Sequence, residues 1–198
     1  MNIRKNWIVI GAILITVFGV YRFYVGSYNH MVNYDETAIT SWSNVENVYQ
    51  RRADLIPNLV STVQGYAAHE RETLTGVIEA RAKASSVSID PTNLDAASMQ
   101  QFQQAQGGLS AALSKLMVVV ERYPDLKANQ NFLELQAQLE GSENRIAVER
   151  RKFNESVKVY NTYIRSFPRN LVAGMYGFER KAQFQSAEGA DIVPEVKF

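Results

Sequence analysis

The sequence predicts an all-α protein, with a single N-terminal transmembrane helix continuing into an antiparallel up-and-down four-helix bundle. Three observations carry that prediction. Residues 7–25, WIVIGAILITVFGVYRFYV, are almost wholly apolar, and about 20 such residues in a helix cross ~30 Å of hydrocarbon. Beyond them, stretches rich in Ala, Gln, Glu, Lys, Arg and Leu carry apolar residues at alternating steps of three and four, which is the pattern of an amphipathic helix. The five prolines fall at the apparent ends of those stretches, and no segment alternates as a half-buried strand does. The expected domains are an anchor at 1–27, a bundle at 28–168 and a C-terminal tail at 169–198.

The anchor holds one charge, Arg22, near its end, with Trp7 at its start and Tyr24 beside the exit as interfacial residues. A cleaved signal peptide is the competing reading, because Arg4 and Lys5 precede the run and Val25-Gly26-Ser27 resembles a small-residue cleavage site. The run is longer than a signal core of about 7–15 residues, so a signal-anchor in a single-pass membrane protein is expected. Arg4 and Lys5 before the span, with Asp35 and Glu36 after it, place the domain outside the cytoplasm under the positive-inside rule; Arg22 argues the other way.

Three of the 21 basic residues, Arg4, Lys5 and Arg22, lie in the first 25 residues, which contain no acid. The remainder therefore carries 18 basic against 20 acidic residues, about −2, and offers no footprint for nucleic acid. With no cysteine, disulfides, thiolate metal sites and a Cys nucleophile are excluded.

From Tyr28 a first stripe runs through Met31, Asp35, Ala38, Trp42, Val45, Tyr49, Arg52 and Ile56, and Pro57 is expected to end this helix. The second helix takes Val60, Val63, Ala67, Glu70, Leu74, Val77, Arg81 and Ala84, followed by a polar loop at 85–92. A third, with Thr92 or Asn93 as its expected cap, presents Phe102, Gln106, Leu109, Leu113, Leu116, Val120 and Tyr123; Gly107-Gly108 weakens its middle by about 1 kcal/mol per glycine. Pro124 closes it, and residues 125–128 make a tight turn. Phe132, Leu135, Leu139, Ser142, Ile146, Glu149, Phe153, Val157, Tyr160 and Ile164 line the fourth, which runs to Pro168. The rest reads as a tail of low regularity.

Catalytic motifs fail on inspection. His69-Glu70 lacks the second His that a zinc-protease helix places at i+4, since position 73 is Thr. A dimetal carboxylate bundle needs Glu three residues before His, yet Ser27 and Tyr66 stand there for His30 and His69. No nucleophile elbow, phosphate-cradling loop or dinucleotide fingerprint occurs. No catalytic, metal or cofactor residue is assigned.

More informative are the charges on the apolar stripes, Asp35, Arg52, Glu70, Arg81 and Glu149, because a buried charge persists only when paired. Folding the first helix back at Pro57 sets Asp35 near the level of Arg81 and suggests an ion pair that fixes register; the alternative puts both on solvated flanks. Asn129, Asn144, Asn154 and Asn161 read as caps or helix bridges. Trp42 reads as core, and Phe153, Tyr160 and Tyr163 as core or as an exposed groove. The apolar end Ile192 to Phe198 is expected to pack on its own bundle or to be disordered; the alternative is that it adds as a strand to a partner's sheet or places its carboxylate in a backbone nest.

Ordered motifs then give a family resemblance over about residues 28–184. QRRADLIPNLV at 50–60, GYAAHE at 65–70, YPDLKAN at 123–129, Asn131-Phe132, Leu135-Gln136, ENRI at 143–146, Tyr160-Asn161, FPRN at 167–170 and Gly177-Phe178 together resemble the LemA family. Phe153-Asn154 departs from the family's usual Tyr-Asn, so no hydroxyl hydrogen bond is assumed there. The resemblance implies a bacterial protein with an N-terminal membrane helix and an up-and-down bundle, and supplies no reaction. Some members are associated with magnetosome formation and some are encoded beside membrane metalloproteases, which implies such proteins as partners. The function expected is a membrane-tethered, non-enzymatic scaffold or adaptor for another membrane or envelope protein. A transmembrane sensor, and an enzyme with an unrecognised polar site, are the alternatives.

Overall fold

The apolar run and the stripe beginning at Tyr28 form one uninterrupted helix. In the computed structural model, which describes residues 3–185 and the side chains of 7–185, α1 spans Ile3–Tyr66. It is followed by α2 (Arg71–Ser86), α3 (Ala96–Val120), the short α4 (Pro124–Lys127), α5 (Gln130–Arg165) and α6 (Arg169–Tyr176), with no strand among the described residues. The N-terminal part of α1 is long and apolar enough to cross a bilayer, and Trp7, Ile13, Leu14, Ile15 and Phe18 all point to the outside.

Packing divides the described chain into two units, 3–40 with 155–180 and 41–154 with 181–185. In the second, Ile56, Leu59 and Val63 of α1, Leu74 and Val77 of α2, Leu109, Leu113 and Leu116 of α3 and Phe132 and Leu139 of α5 share one core. Successive helices run antiparallel there: Ala53 of α1 lies beside Arg81 of α2, Ala84 of α2 beside Gln106 of α3, and Arg52 of α1 beside Glu143 of α5. A second aromatic cluster, Trp42, Phe102, Phe153 and Phe184, has ring centroids 5.2–6.4 Å apart. In the first unit, Met31, Tyr160, Ile164, Val172 and Ala173 form a smaller core.

Pro57 does not end the first helix; it sits inside α1, and the chain turns at residues 67–70 instead. A proline within a helix leaves the carbonyl of residue i−4 without its donor and costs about 3 kcal/mol. Here that carbonyl belongs to Ala53, and the Arg81 Nε of α2 donates to it at 2.8 Å. The guanidinium thus replaces the N–H that Pro57 lacks. Val60 and Val63, expected in the second helix, are buried in α1, while Leu74, Val77 and Ala84 are buried in α2. The stripes largely locate the buried faces, but α1 ends at Tyr66, about two and a half turns beyond the proline.

Three further local expectations change. Asp95, rather than Thr92 or Asn93, caps α3, its Oδ1 accepting from the N–H groups of Ala97 and Ser98 at 2.8 and 2.9 Å. Thr92 instead closes a turn on Asp90, donating from its N–H and Oγ1 to Asp90 Oδ1. Pro124 opens α4 at its first position, where a missing N–H is harmless.

The expected irregular tail is also partly regular. Residues 169–176 are α6, ended by Gly177 at φ 72°, a left-handed cap that glycine adopts without strain. Residues 181–185 pack on the second unit. Ala182 N–H donates to Leu94 O at 2.7 Å, and Asn154 grips Phe184 through both its amide oxygen and its amide nitrogen, at 2.8 and 3.0 Å. Ile192 to Phe198, weighed above between packing, disorder and strand addition, lie outside the described residues.

Replacing Arg81 with Met is expected to lower stability by about 1–3 kcal/mol, since the Ala53 carbonyl loses its donor. In a Pro57→Ala background the residue 57 N–H takes over that carbonyl, and the same replacement costs much less. Denaturant unfolding of the four variants in detergent measures the coupling; equal costs in both backgrounds would refute the role of Arg81.

Candidate functional site: a buried arginine centre

Arg52 sits on the apolar stripe of α1 between Tyr49 and Ile56, and its residue exposure is 1%. No water reaches a guanidinium at that depth, so protein acceptors must surround it. Nη1 donates to Ser110 Oγ at 3.0 Å and to Glu143 Oε1, and Nη2 to Gln106 Oε1 at 2.6 Å. Nε has no acceptor. The charge also lies 5.2 Å from the centre of the Tyr49 ring. Ser110 and Gln106 come one turn apart on α3, and Glu143 from α5. Gln106, itself buried, turns its Nε2 to the Ala84 carbonyl at the end of α2 at 3.3 Å. One cation therefore ties α1 to α3 and α5, and reaches α2 through Gln106.

Beside this centre is a cavity of about 190 Å³ whose polar lining comes from Glu46, Tyr49, Gln50, Ser85, Ser88 and Gln106. It is smaller than the 300 Å³ or so at which drug-sized ligand sites begin, and suits a small polar molecule. Burial raises the Glu46 carboxyl above its ordinary range, the Trp42 indole N–H partly opposing it. Burial likewise raises the Tyr49 phenol, against the pull of Arg150 and Arg52.

The other stripe charges find separate partners. Glu70 Oε1 accepts from Arg122 Nη2 and from Tyr123 OH, each at 3.1 Å, and so ties the turn after α1 to the end of α3. The hydrogen bond to Glu70 raises the Tyr123 phenol. Glu149 pairs with Lys152 one turn on. Asp35 faces the Tyr160 phenol, whose pKa is raised first by burial and then by this carboxylate, while Tyr160 OH donates to Glu179 O at 2.9 Å. Arg81 serves Ala53. The register that set Asp35 level with Arg81 assumed a corner at Pro57, and that corner does not exist. Trp7 and Arg22 are exposed, and Tyr24 meets α6.

Glu70 and Glu143 thus stand in two different ion pairs, and no His joins either of them. Among the described residues no group of three or more His, Asp or Glu is placed to hold a metal ion. The partners of Arg52 were not identified from the sequence, although a signal existed. Gln106 interrupts the apolar stripe of α3 just as Arg52 interrupts that of α1, and two polar interruptions in facing stripes mark groups that satisfy each other. Asn129 is the cap the sequence suggested, accepting from Phe132 N–H at 3.0 Å.

Two outcomes are expected from this geometry. Arg52→Ala should lower stability by about 1–3 kcal/mol, because the buried Gln106 Oε1 loses its donor; Arg52→Lys should not restore it fully, since a single ammonium is not the planar fork that reaches acceptors on both α3 and α5. Unfolding followed by circular dichroism checks both. For Glu46 the raised folded-state pKa means that its contribution to stability is present at acid pH and lost as pH rises through that pKa. Glu46→Gln should therefore raise the melting temperature near neutral pH and leave it unchanged in acid; the opposite pH trend would contradict the burial argument.

Comparison with known proteins gives the family. The family model described as the LemA family matches residues 41–198. Magnetosome protein MamQ of Magnetospirillum gryphiswaldense is 28% identical over 191 residues, covering 85% of this chain and 70% of the relative. Magnetosome protein MamQ 2 of Paramagnetospirillum magneticum is 28% identical over 183 residues, covering 83% of this chain; the chain spans 66% of that relative's length. Protein LemA of Metamycoplasma hominis is 26% identical over 175 residues, covering 88% and 76%. With the match running through the arginine centre, the caps and the packed segment at 181–185, the chain belongs to the LemA family.

Proposed function

We propose that this chain is a membrane-tethered, non-enzymatic scaffold or adaptor, a single-pass protein whose four-helix bundle domain holds another membrane or envelope protein at the bilayer surface. One observation carries the reading. The described buried charges are spent on holding helices together, whereas the surface between α2 and α3 opens as a groove of about 760 Å³. Its floor is Gly76, Ala80, Gly108, Ala111 and Ala112, and its rim bears Arg71, Glu72, Glu79 and Lys115. Small side chains let a helix approach closely, and charges of both signs on the rim set its register. The occupant proposed is a helix of the partner protein. That the relatives are named magnetosome proteins is compatible with an assembly role.

A photo-crosslinking residue at Glu79 or Lys115, with one at exposed Glu140 as control, tests this in intact cells. A reproducible partner should be captured from the first two positions, lost when Ala111→Trp fills the groove and absent at position 140. A membrane metalloprotease is the first candidate to seek by mass spectrometry. No groove-dependent capture would overturn the reading. The domain is placed outside the cytoplasm, on the side away from Arg4 and Lys5; protease added to intact cells should digest it, and full protection would reverse the orientation.

The cavity beside Arg52 favours one second reading, a sensor of a small polar ligand. In that case a ligand would change crosslinking between cysteines placed on facing helices of the second unit.

A further inference from the structure

Helix α6 has two apolar faces, and only one of them is packed. Val172 and Ala173 are buried against Met31, Tyr160 and Ile164. On the other side Leu171 and Met175 are 60% and 71% exposed, and Phe167, just ahead of the helix, is 79% exposed. Single exposed apolar side chains are ordinary, but Leu171 and Met175 lie one turn apart on the same face of α6 and Phe167 adds a third large one just before it, and such a group calls for a partner.

The position of the stripe says which partner. The Tyr24 hydroxyl donates to Met175 Sδ at 3.3 Å, and the Tyr176 ring lies 6.0 Å from that of Tyr24 and 4.7 Å from that of Tyr28. Phe178 adds a third ring, 5.8 Å from Tyr28. Within the first unit α6 is therefore held beside the residues where the apolar run 7–25 ends. The charges at that level are basic. Residues 161–178 contain Arg165 and Arg169 and no acid, and Arg22 lies in the run itself. Arg169, the first residue of α6, is stacked 4.4 Å above the Tyr163 ring of α5, which fixes its guanidinium at the start of α6.

We propose that α6 is a second membrane contact. It lies in the headgroup region of the bilayer that α1 crosses, with Phe167, Leu171 and Met175 in the acyl boundary and Arg165 and Arg169 at anionic lipid phosphates. A short helix with an apolar stripe, basic flanks and aromatic neighbours has the chemistry of an interfacial anchor. The proposal rests on the reading of residues 7–25 as a membrane span. It makes the attachment two-point, so that the first unit is held by α1 and by α6 together and does not pivot on one helix.

The chain has no cysteine, so single nitroxide labels can be placed without background. Full-length variants Leu171→Cys and Met175→Cys are labelled in vesicles of phosphatidylcholine and phosphatidylglycerol, with Val20→Cys as a control in the span and Lys158→Cys as a control in water. Oxygen should relax the labels at 171 and 175 more than a water-soluble nickel complex does, as at 20 and opposite to 158. If 171 and 175 behave like 158 while 20 stays in lipid, the proposal fails and the span stands. Should 20 also read as aqueous, the span reading fails and takes the proposal with it. Spin–spin broadening at 171 and 175 without lipid contact would show a second copy on this face and overturn the proposal. Replacing phosphatidylglycerol by phosphatidylcholine should reduce the immersion at 171 and 175 and leave 20 unchanged; immersion unaffected by that exchange would overturn the phosphate contacts.

Discussion

A guanidinium taken out of water needs protein acceptors in place of its hydration, and in this protein the demand of the two terminal nitrogens of Arg52 shapes the second unit. Arg52 is 1% exposed, and its acceptors come from α3 and α5. Each of those helices must present one face to α1: a rotation of α3 that withdrew Gln106 would strand the charge, and a slide of α5 by one turn would remove Glu143. Apolar stripes alone tolerate such slips, because one leucine replaces another at modest cost. The polar centre discriminates between registers that the core treats as near equivalents. Glu143 is half-exposed, so the pair is only partly desolvated on its acidic side, which reduces its cost.

Elsewhere in the unit, polar groups do similar work on the backbone. Pro57 leaves a carbonyl that no helical N–H can reach, and Arg81 supplies the donor from α2. Asn154 imitates a strand partner for Phe184, accepting its N–H and donating to its carbonyl, and so docks an extended segment on a helix. Phe184 then completes the ring cluster around Trp42, with Arg150 4.5 Å above its face. In both backbone cases, Arg81 and Asn154, a side chain on one helix supplies what the backbone of another segment lacks, and helix packing and backbone satisfaction become one problem.

These arrangements bear on function by what they leave over. Arg52, Arg81 and Glu70 of the second unit are engaged by side chains or backbone groups of neighbouring helices, whereas the groove between α2 and α3, lined by small residues, is open. In the first unit the unspent feature is the outer face of α6. In the reading offered here, one surface accepts a protein helix and the other accepts lipid. That is the division of labour of an adaptor whose partner is itself in the membrane.

By itself the sequence determined the class of the protein: an apolar run long enough to span a bilayer, helical stripes most of whose apolar positions are buried, and ordered motifs sufficient to place the family. Each is a local property, set by side-chain type and spacing along one helix. Only the tertiary structure decided where α1 stops, since the fate of Pro57 depends on a donor 24 residues away on α2. It also decided which charges pair, because Arg52 meets Glu143 across 91 residues of chain and not by any spacing within one stripe. The same holds for the tail. Residues 169–185 contain too little periodicity to read as structure, yet α6 and the segment gripped by Asn154 are held by surfaces that earlier helices had already built. Periodicity tells which face of a helix is buried. What it is buried against, and which backbone groups need outside help, follows only when distant segments are brought together.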